Sequence, residues 1–224
     1  MIVTRASSGP LDSSAMDGKT ALAALVRARD ALVAANVRYF LSDGTLLGLV
    51  RHGTFIKWDS DIDLGVMAED FNVRSFVRFM VLMHQKGFSL RYLSGRWRRN
   101  FAAGWVRKNI KIDLFFYSRR GDLRIAPAFD FGRFCEFSYP ASLIETLLPA
   151  EFCGETVMAP KDKEAVVAHE YGDWQVPRPD FDWRTSCLNR SPFRRRPLIP
   201  RLWYYALRKA WNAIELVFRP PGDA

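Results

Sequence analysis

Gly44-Thr45-Leu46-Leu47-Gly48-Leu49-Val50-Arg51-His52-Gly53-Thr54-Phe55-Ile56-Lys57-Trp58-Asp59-Ser60-Asp61-Ile62-Asp63 decides how the rest of the chain is read. The stretch ends in three carboxylates alternating with Ser60 and Ile62. On a β-strand that alternation turns Asp59, Asp61 and Asp63 to one face and Ile62, Leu64 and Val66 to the other. Two like charges about 4 Å apart repel by roughly 4 kcal/mol at an effective dielectric of about 20. Such a face is therefore solvated, takes up protons or holds a divalent cation. The same D-x-D-x-D pattern opens a calcium loop, which needs Gly at its sixth position and Glu at its twelfth. Leu64 and Asp70 stand there instead, and Leu does not make the sharp turn, so the calcium loop is set aside.

Upstream, Arg38-Tyr39-Phe40-Leu41 is β-prone, Ser42-Asp43-Gly44-Thr45 is a turn, and Leu46, Leu47, Leu49 and Val50 follow at helical spacing. Gly44 permits close approach of a ligand to the backbone, Thr45 is placed to cap the helix, and free amides at a helix start favour phosphate. Downstream, Asn109 to Tyr117 is a second β-prone run, with Asp113 between Ile112 and Leu114. Burying that aspartate is costly unless it is bonded or bound to metal, although pairing with Lys111 or Arg107 would also serve. A glycine turn opening a helix, a strand with alternating aspartates and a third aspartate on a later strand together resemble the nucleotidyltransferase fold. The expected class is α+β: a mixed β-sheet flanked by helices.

The elements G-T-L-L-G, R-H, F-I-x-W-D and D-x-D, in that order and spacing, resemble the core motif of the LicD/fukutin family. Val157-Met158-Ala159-Pro160 leading to Tyr171-Gly172-Asp173-Trp174 and Pro177 is similar to the family's closing segment, so the resemblance spans roughly residues 20 to 180. Lys57 stands where proline is expected and Ser60 where a fourth acid is common. The Cys-rich zinc insert of some members has no counterpart. The resemblance implies transfer of an alcohol phosphate, of phosphocholine or polyol phosphate type, from a CDP-alcohol donor to a hydroxyl of a glycan or lipid-linked glycan, with release of CMP. It implies catalytic, metal-holding roles for Asp61, Asp63 and Asp113 with Mg²⁺ or Mn²⁺, and donor contacts at Gly44 and Thr45. Arg51 and Lys57 are candidate phosphate clamps. His52 and Trp58 are further candidate substrate contacts, Trp58 either stacking on a base or packing. Asp59 either orients Arg51 or His52 or joins a second metal. Two other functions remain open: a nucleotidyltransferase that moves NMP from an NTP, and a member that binds CDP-alcohol or glycan without turnover.

The 224 residues, 49% hydrophobic, suffice for one sizeable domain, expected over residues 18–180 after a disordered start at 1–17. Helices are expected over Gly18 to Asn36, Glu69 to Lys86, Ser142 to Leu148 and Lys161 to Tyr171, and strands over Phe88 to Tyr92, Arg96 to Val106 and Ile110 to Tyr117. Arg29 interrupts the apolar stripe of the first helix, so its stem is expected to lie along that surface with its head in water. Arg91 to Arg107 is a basic segment that either lines the acceptor groove or forms an exposed hairpin. Cys135, Cys153 and Cys187 show no metal spacing and match a reducing compartment. No run of eighteen apolar residues and no signal peptide are read, which places the chain in the cytoplasm.

The net charge of +9 gathers in the 181–224 extension, since Arg178 to Arg219 holds ten basic and three acidic residues. An amphipathic helix is expected there, with Trp203, Ile214 and Val217 opposite Arg201, Arg208 and Lys209. Residues 198–219 suit an anionic membrane surface, where the protein would sit peripherally on the inner face, or a docking surface on the chain's own domain or a second copy. Nucleic acid is disfavoured because no recognition motif accompanies the basic tail.

Overall fold

The stripe Ala21, Ala24, Leu25, Ala28, Ala31 and Leu32 is fully buried and defines the first helix, α1 (Gly18–Ala34), which Asp17 caps by accepting the Thr20 N–H at 2.9 Å. It belongs to a computed structural model that describes residues 16–96, 100–130 and 133–195 with positions 209, 212 and 213. The sequence-based expectations for most of residues 1–17, for Trp97 to Arg99 and for most of the 198–219 helix lie outside the described residues. Helical spacing puts Val33 on one face with Leu25 and Leu32, but Val33 is 62% exposed, off the stripe that the helix buries. Arg29 also departs from expectation: its guanidinium donates to Glu155 Oε2 and to the Thr156 carbonyl, both at 3.0 Å.

The sheet is built around two strands, β2 (Asp61–Met67) and β5 (Ile110–Arg120), which run parallel with Asp63 opposite Asp113. On the outer side of β2 lies β1 (Tyr39–Leu41), antiparallel; the connection to β2 runs through α2 (Asp43–His52). Beyond β5 the sheet branches. β4 (Asn100–Arg107) pairs with the first half of β5 and carries β3 (Ser89–Arg96) at its far edge. β6 (Leu123–Asp130) pairs with the last residues of β5 and carries β7 (Arg133–Pro140).

The helix α3 (Val73–Gln85) packs with α1 on one face of the sheet. Its Phe76 and Phe79 meet Phe101, Trp105 and Phe116 edge-on, at 4.9 to 6.5 Å between centroids where these rings touch one another. Period-two geometry therefore sends Phe101, Ala103 and Trp105 into this core, and leaves Ala102 and Gly104 on the other face with Asp63 and Asp113. That second face is covered by α2 and by α5 (Lys163–Tyr171).

The expected helix from Ser142 shortens to α4 (Ala141–Ile144), and Leu147–Phe152 is instead β8, in a hairpin with β9 (Glu155–Pro160). Pro149 disfavours helical backbone at Leu148, and Cys153 and Gly154, at φ 53° and 81°, supply the hairpin turn. The β6–β7 hairpin was not anticipated by periodicity. Past residue 181 the chain runs along β7: Ser191 N–H donates to the Glu136 carbonyl, and Arg194 and Arg195 (β10) pair with Phe134 and Arg133. A short helix, α6 (Trp183–Ser186), precedes Cys187, which is 7% exposed. Among the described residues no helix is long and apolar enough to cross a membrane.

Candidate active site

β2 and β5 set the site because they are parallel neighbours with their aspartates in register. A row runs across four strands, Tyr92 on β3, Gly104 on β4, Asp113 on β5 and Asp63 on β2, each opposite the next. Asp61 lies two residues before Asp63 on the same face, opposite Lys111. Oxygen atoms of Asp59, Asp61 and Asp63 all lie within 4.8 Å of one another. The turn into α2 reaches this cluster from the other side. A Cβ on Gly44 would lie 2.5 Å from Asp59 Oδ2 and 3.4 Å from Asp63 Oδ2, so only glycine fits as the chain stands.

Gly44 N–H donates to Asp63 Oδ2 at 3.2 Å, and the Asp63 N–H donates to Thr45 Oγ1 at 2.9 Å. Thr45 is 1% exposed, inside the first turn rather than at its cap, which is Ser42. It fastens β2 to α2.

The electrostatics follow from crowding. Burial first, and then the Asp61 charge, pushes Asp59 up to about 8 and Asp113 up to about 7. Asp63 is held well above the carboxylate range by burial and then by Asp61, Asp43, Asp59 and Asp113. Arg91 and Lys111 act the other way on Asp113, and Lys111 Nζ also reaches Ser60 Oγ at 3.4 Å. A hard divalent cation fits this donor set: the oxygens are clustered, like-charged and aimed together, and Asp113 Oδ1 is buried with no hydrogen-bond partner. Among the described residues, Asp59, Asp61 and Asp63 are the group that could hold a metal.

A raised acid pKa stabilises the fold fully below the ordinary value of 3.8, and that contribution is lost as pH rises through the folded values. With chelator present, the melting temperature is therefore expected to fall as pH rises above about 4, Asp59 contributing to that fall up to about pH 8. Millimolar Mg²⁺ should restore most of the loss at the alkaline end, since it binds the ionised form. A melting profile unchanged by Mg²⁺ across that range would remove the cation site.

The other residues named from sequence fall into two groups. Lys57 and Trp58 immediately precede Asp59 and are exposed, Trp58 at 44%. Arg51 donates from Nε to the Trp174 carbonyl and from a terminal nitrogen to the Val176 carbonyl at 3.0 Å, binding α2 to the Tyr171-Gly172-Asp173-Trp174 loop. His52 is exposed at the last position of α2, about 14 Å along the helix from Asp43. Sequence reasoning missed Tyr92, whose phenol lies beside Asp113; Lys111, named there as a partner for Asp113, and Arg91, named as part of a basic segment, both act on that carboxyl.

The family model for the LicD/FKTN/FKRP nucleotidyltransferase domain matches residues 36–162, more than half of the chain. Ribitol 5-phosphate transferase FKRP of Mus musculus is 29% identical over 160 residues, covering 67% of this chain and 31% of that protein. Ribitol-5-phosphate transferase FKTN of Mus musculus is 26% identical over 160 residues, covering 70% of this chain and 33% of that one. An uncharacterised Caenorhabditis elegans protein, T07A5.1, is 27% identical over 184 residues, 77% of this chain and 47% of its own length. The chain thus spans about a third of the length of the two transferases. The matched region contains the glycine turn, all four aspartates and the β2–β5 pair, and the chain belongs to the LicD/FKTN/FKRP nucleotidyltransferase family.

Proposed function

We propose that the chain is a metal-dependent transferase that moves an alcohol phosphate from a CDP-activated donor to a hydroxyl of a glycan or lipid-linked glycan. The observation that carries this reading is the convergence of the Asp59, Asp61 and Asp63 oxygens within 4.8 Å, with Asp113 opposite Asp63. Asp61 and Asp63 would hold Mg²⁺ or Mn²⁺, with Asp59 and Asp113 flanking them. The bound ion would offset charge on the donor diphosphate and on the departing CMP.

The chain's own residues do the rest. Gly44 and Thr45 keep Asp63 in place through the two hydrogen bonds described. Lys57, Lys111 and Arg91 would meet phosphate oxygens, while Arg51 keeps the α2 end and the 174–176 loop together. Asp113 stands beside the cluster as the group to take the proton from the acceptor hydroxyl, a role suited to a carboxyl held near neutrality. Trp58, exposed next to Asp59, is placed to stack on the cytosine. A peripheral position at an anionic membrane surface, where a lipid-linked acceptor would be met, rests on the basic tail of residues 198–219.

The experiment is a panel of CDP-alcohols, CDP-ribitol first because of the names of the two transferases, incubated with the purified chain, Mg²⁺ and a polyol-bearing or sugar acceptor. CMP should be released only with acceptor and metal together. Release of pyrophosphate from a nucleoside triphosphate would support NMP transfer instead, and tight CDP-alcohol binding without turnover would support a binding protein.

A further inference from the structure

Beneath the carboxylate cluster lies a second acid pair that the proposed chemistry leaves unused. Asp43 opens α2 in the left-handed region, at φ 45°, a conformation that non-glycine residues adopt rarely and Asp or Asn most readily. Its carboxyl is hydrogen-bonded to that of Glu170, in the last turn of α5, which is 3% exposed. Glu170 is itself held from three directions. Tyr139 O–H on β7 donates to Oε2 at 2.8 Å, Cys187 Sγ lies 3.8 Å from Oε1, and the Leu188 N–H donates to the Glu170 carbonyl at 2.8 Å.

Two enclosed carboxylates in contact cannot both stay ionised without strong repulsion, whereas one proton between them makes a charge-assisted O–H···O bond. Burial holds both groups above the ordinary range, Asp43 at about 6 and Glu170 well above it. A backbone in a rarely populated region persists only where its surroundings over-determine it. Here the fixed end of that restraint is Glu170 and the free end is the turn that carries Gly44.

We propose that Glu170 is a positioning residue of the carboxylate site: its hydrogen bond to Asp43, one proton shared between two carboxyls, locks the left-handed start of α2 so that the Gly44 N–H meets Asp63. With Arg51 binding the other end of α2 to the loop after α5, the helix is pinned at both ends to the same neighbour. The use of this lock in binding a donor rests on the transferase reading; the lock itself does not.

The test uses the full chain in Mg²⁺ with CDP as the probe. Glu170→Gln keeps a donor toward Asp43 and an acceptor for Tyr139, and should leave CDP affinity within about threefold and the melting temperature nearly unchanged. Glu170→Leu removes the bond at similar volume and should weaken CDP binding by about tenfold or more. The infrared difference between the wild type and the Asp43→Asn, Glu170→Gln double variant, both recorded in Mg²⁺ so that the cluster carboxyls are ionised, should show the carbonyl band of a buried protonated carboxyl. That band decides the matter even where Glu170→Leu fails to fold. Wild-type CDP affinity in Glu170→Leu, equal losses in the Gln and Leu variants, or a band unchanged in the double variant would each overturn the proposal. Absence of any CDP binding by the wild type would count against the transferase reading, while the band and the melting of Glu170→Gln still test the pair.

Discussion

Asp63→Asn should lower turnover by about a thousandfold while raising the melting temperature of the metal-free protein. The two effects come from one cause. Asp63 is held by the Gly44 N–H and, through its backbone, by Thr45, and an asparagine oxygen accepts the same Gly44 bond, so the fold has no reason to change. What is lost is a negative oxygen where a cation and the donor phosphates would meet; removing one preorganised electrostatic group costs about 10²–10³ in turnover. What is relieved is repulsion, because Asp61, Asp43, Asp59 and Asp113 all disfavour a charge on Asp63. Removing a strained functional charge commonly returns about 0.5–2 kcal/mol. Asp61→Asn should show the same loss of turnover. CMP release and melting in chelator measure the two quantities on one preparation. Turnover within tenfold of wild type would end the assignment of Asp63, and a lower melting temperature would make its carboxylate structural rather than functional.

The same residue shows what sequence could and could not supply. Alternation announced that Asp61 and Asp63 share a face, and the β-prone runs on either side gave the edge strand β1 and the central strand β5, because period-two patterning is a local property. The pairing of Asp63 with Asp113 across about fifty residues was legible only through the family's layout. Thr45 was read as a helix cap from its place after a glycine; it is instead a buried clasp for the Asp63 amide, a difference that depends on where β2 lies rather than on the turn itself. Arg51 looked like a phosphate clamp because cations near acids usually face ligands. Its partners are carbonyls more than 120 positions away in sequence, and no local pattern points to them. The β6–β7 hairpin escaped too: Pro127 sits inside β6, where a proline removes a ladder donor and speaks against a strand, and its buried Arg124 is held by Glu69 and Glu145 from distant parts of the chain.

Gly104→Ala should cost about 1–3 kcal/mol in stability, as overpacking does, and about a hundredfold in turnover. A methyl group there would stand 2.2 Å from Tyr92 Cε1, 2.7 Å from Cδ1 and 2.8 Å from Asp113 Oδ1. Neither neighbour can ignore it: the Tyr92 ring spans the gap that Gly104 leaves in the row, and Asp113 is fixed by its place opposite both Gly104 and Asp63. Relief must come from rotating the ring away, from tilting the Asp113 carboxyl, or from both, and a displacement of about 1 Å at a reacting group can cost 10² in rate. A second substitution separates these routes. If the ring transmits the strain, Tyr92→Ala in the Gly104→Ala background should recover stability, because the methyl then has somewhere to go. If the methyl acts on Asp113 directly, turnover should stay low in the double variant even as melting recovers. Turnover and melting both at wild-type levels in Gly104→Ala would mean that the row across β3, β4 and β5 has slack the packing does not show, and would detach Asp113 from the chemistry assigned to it.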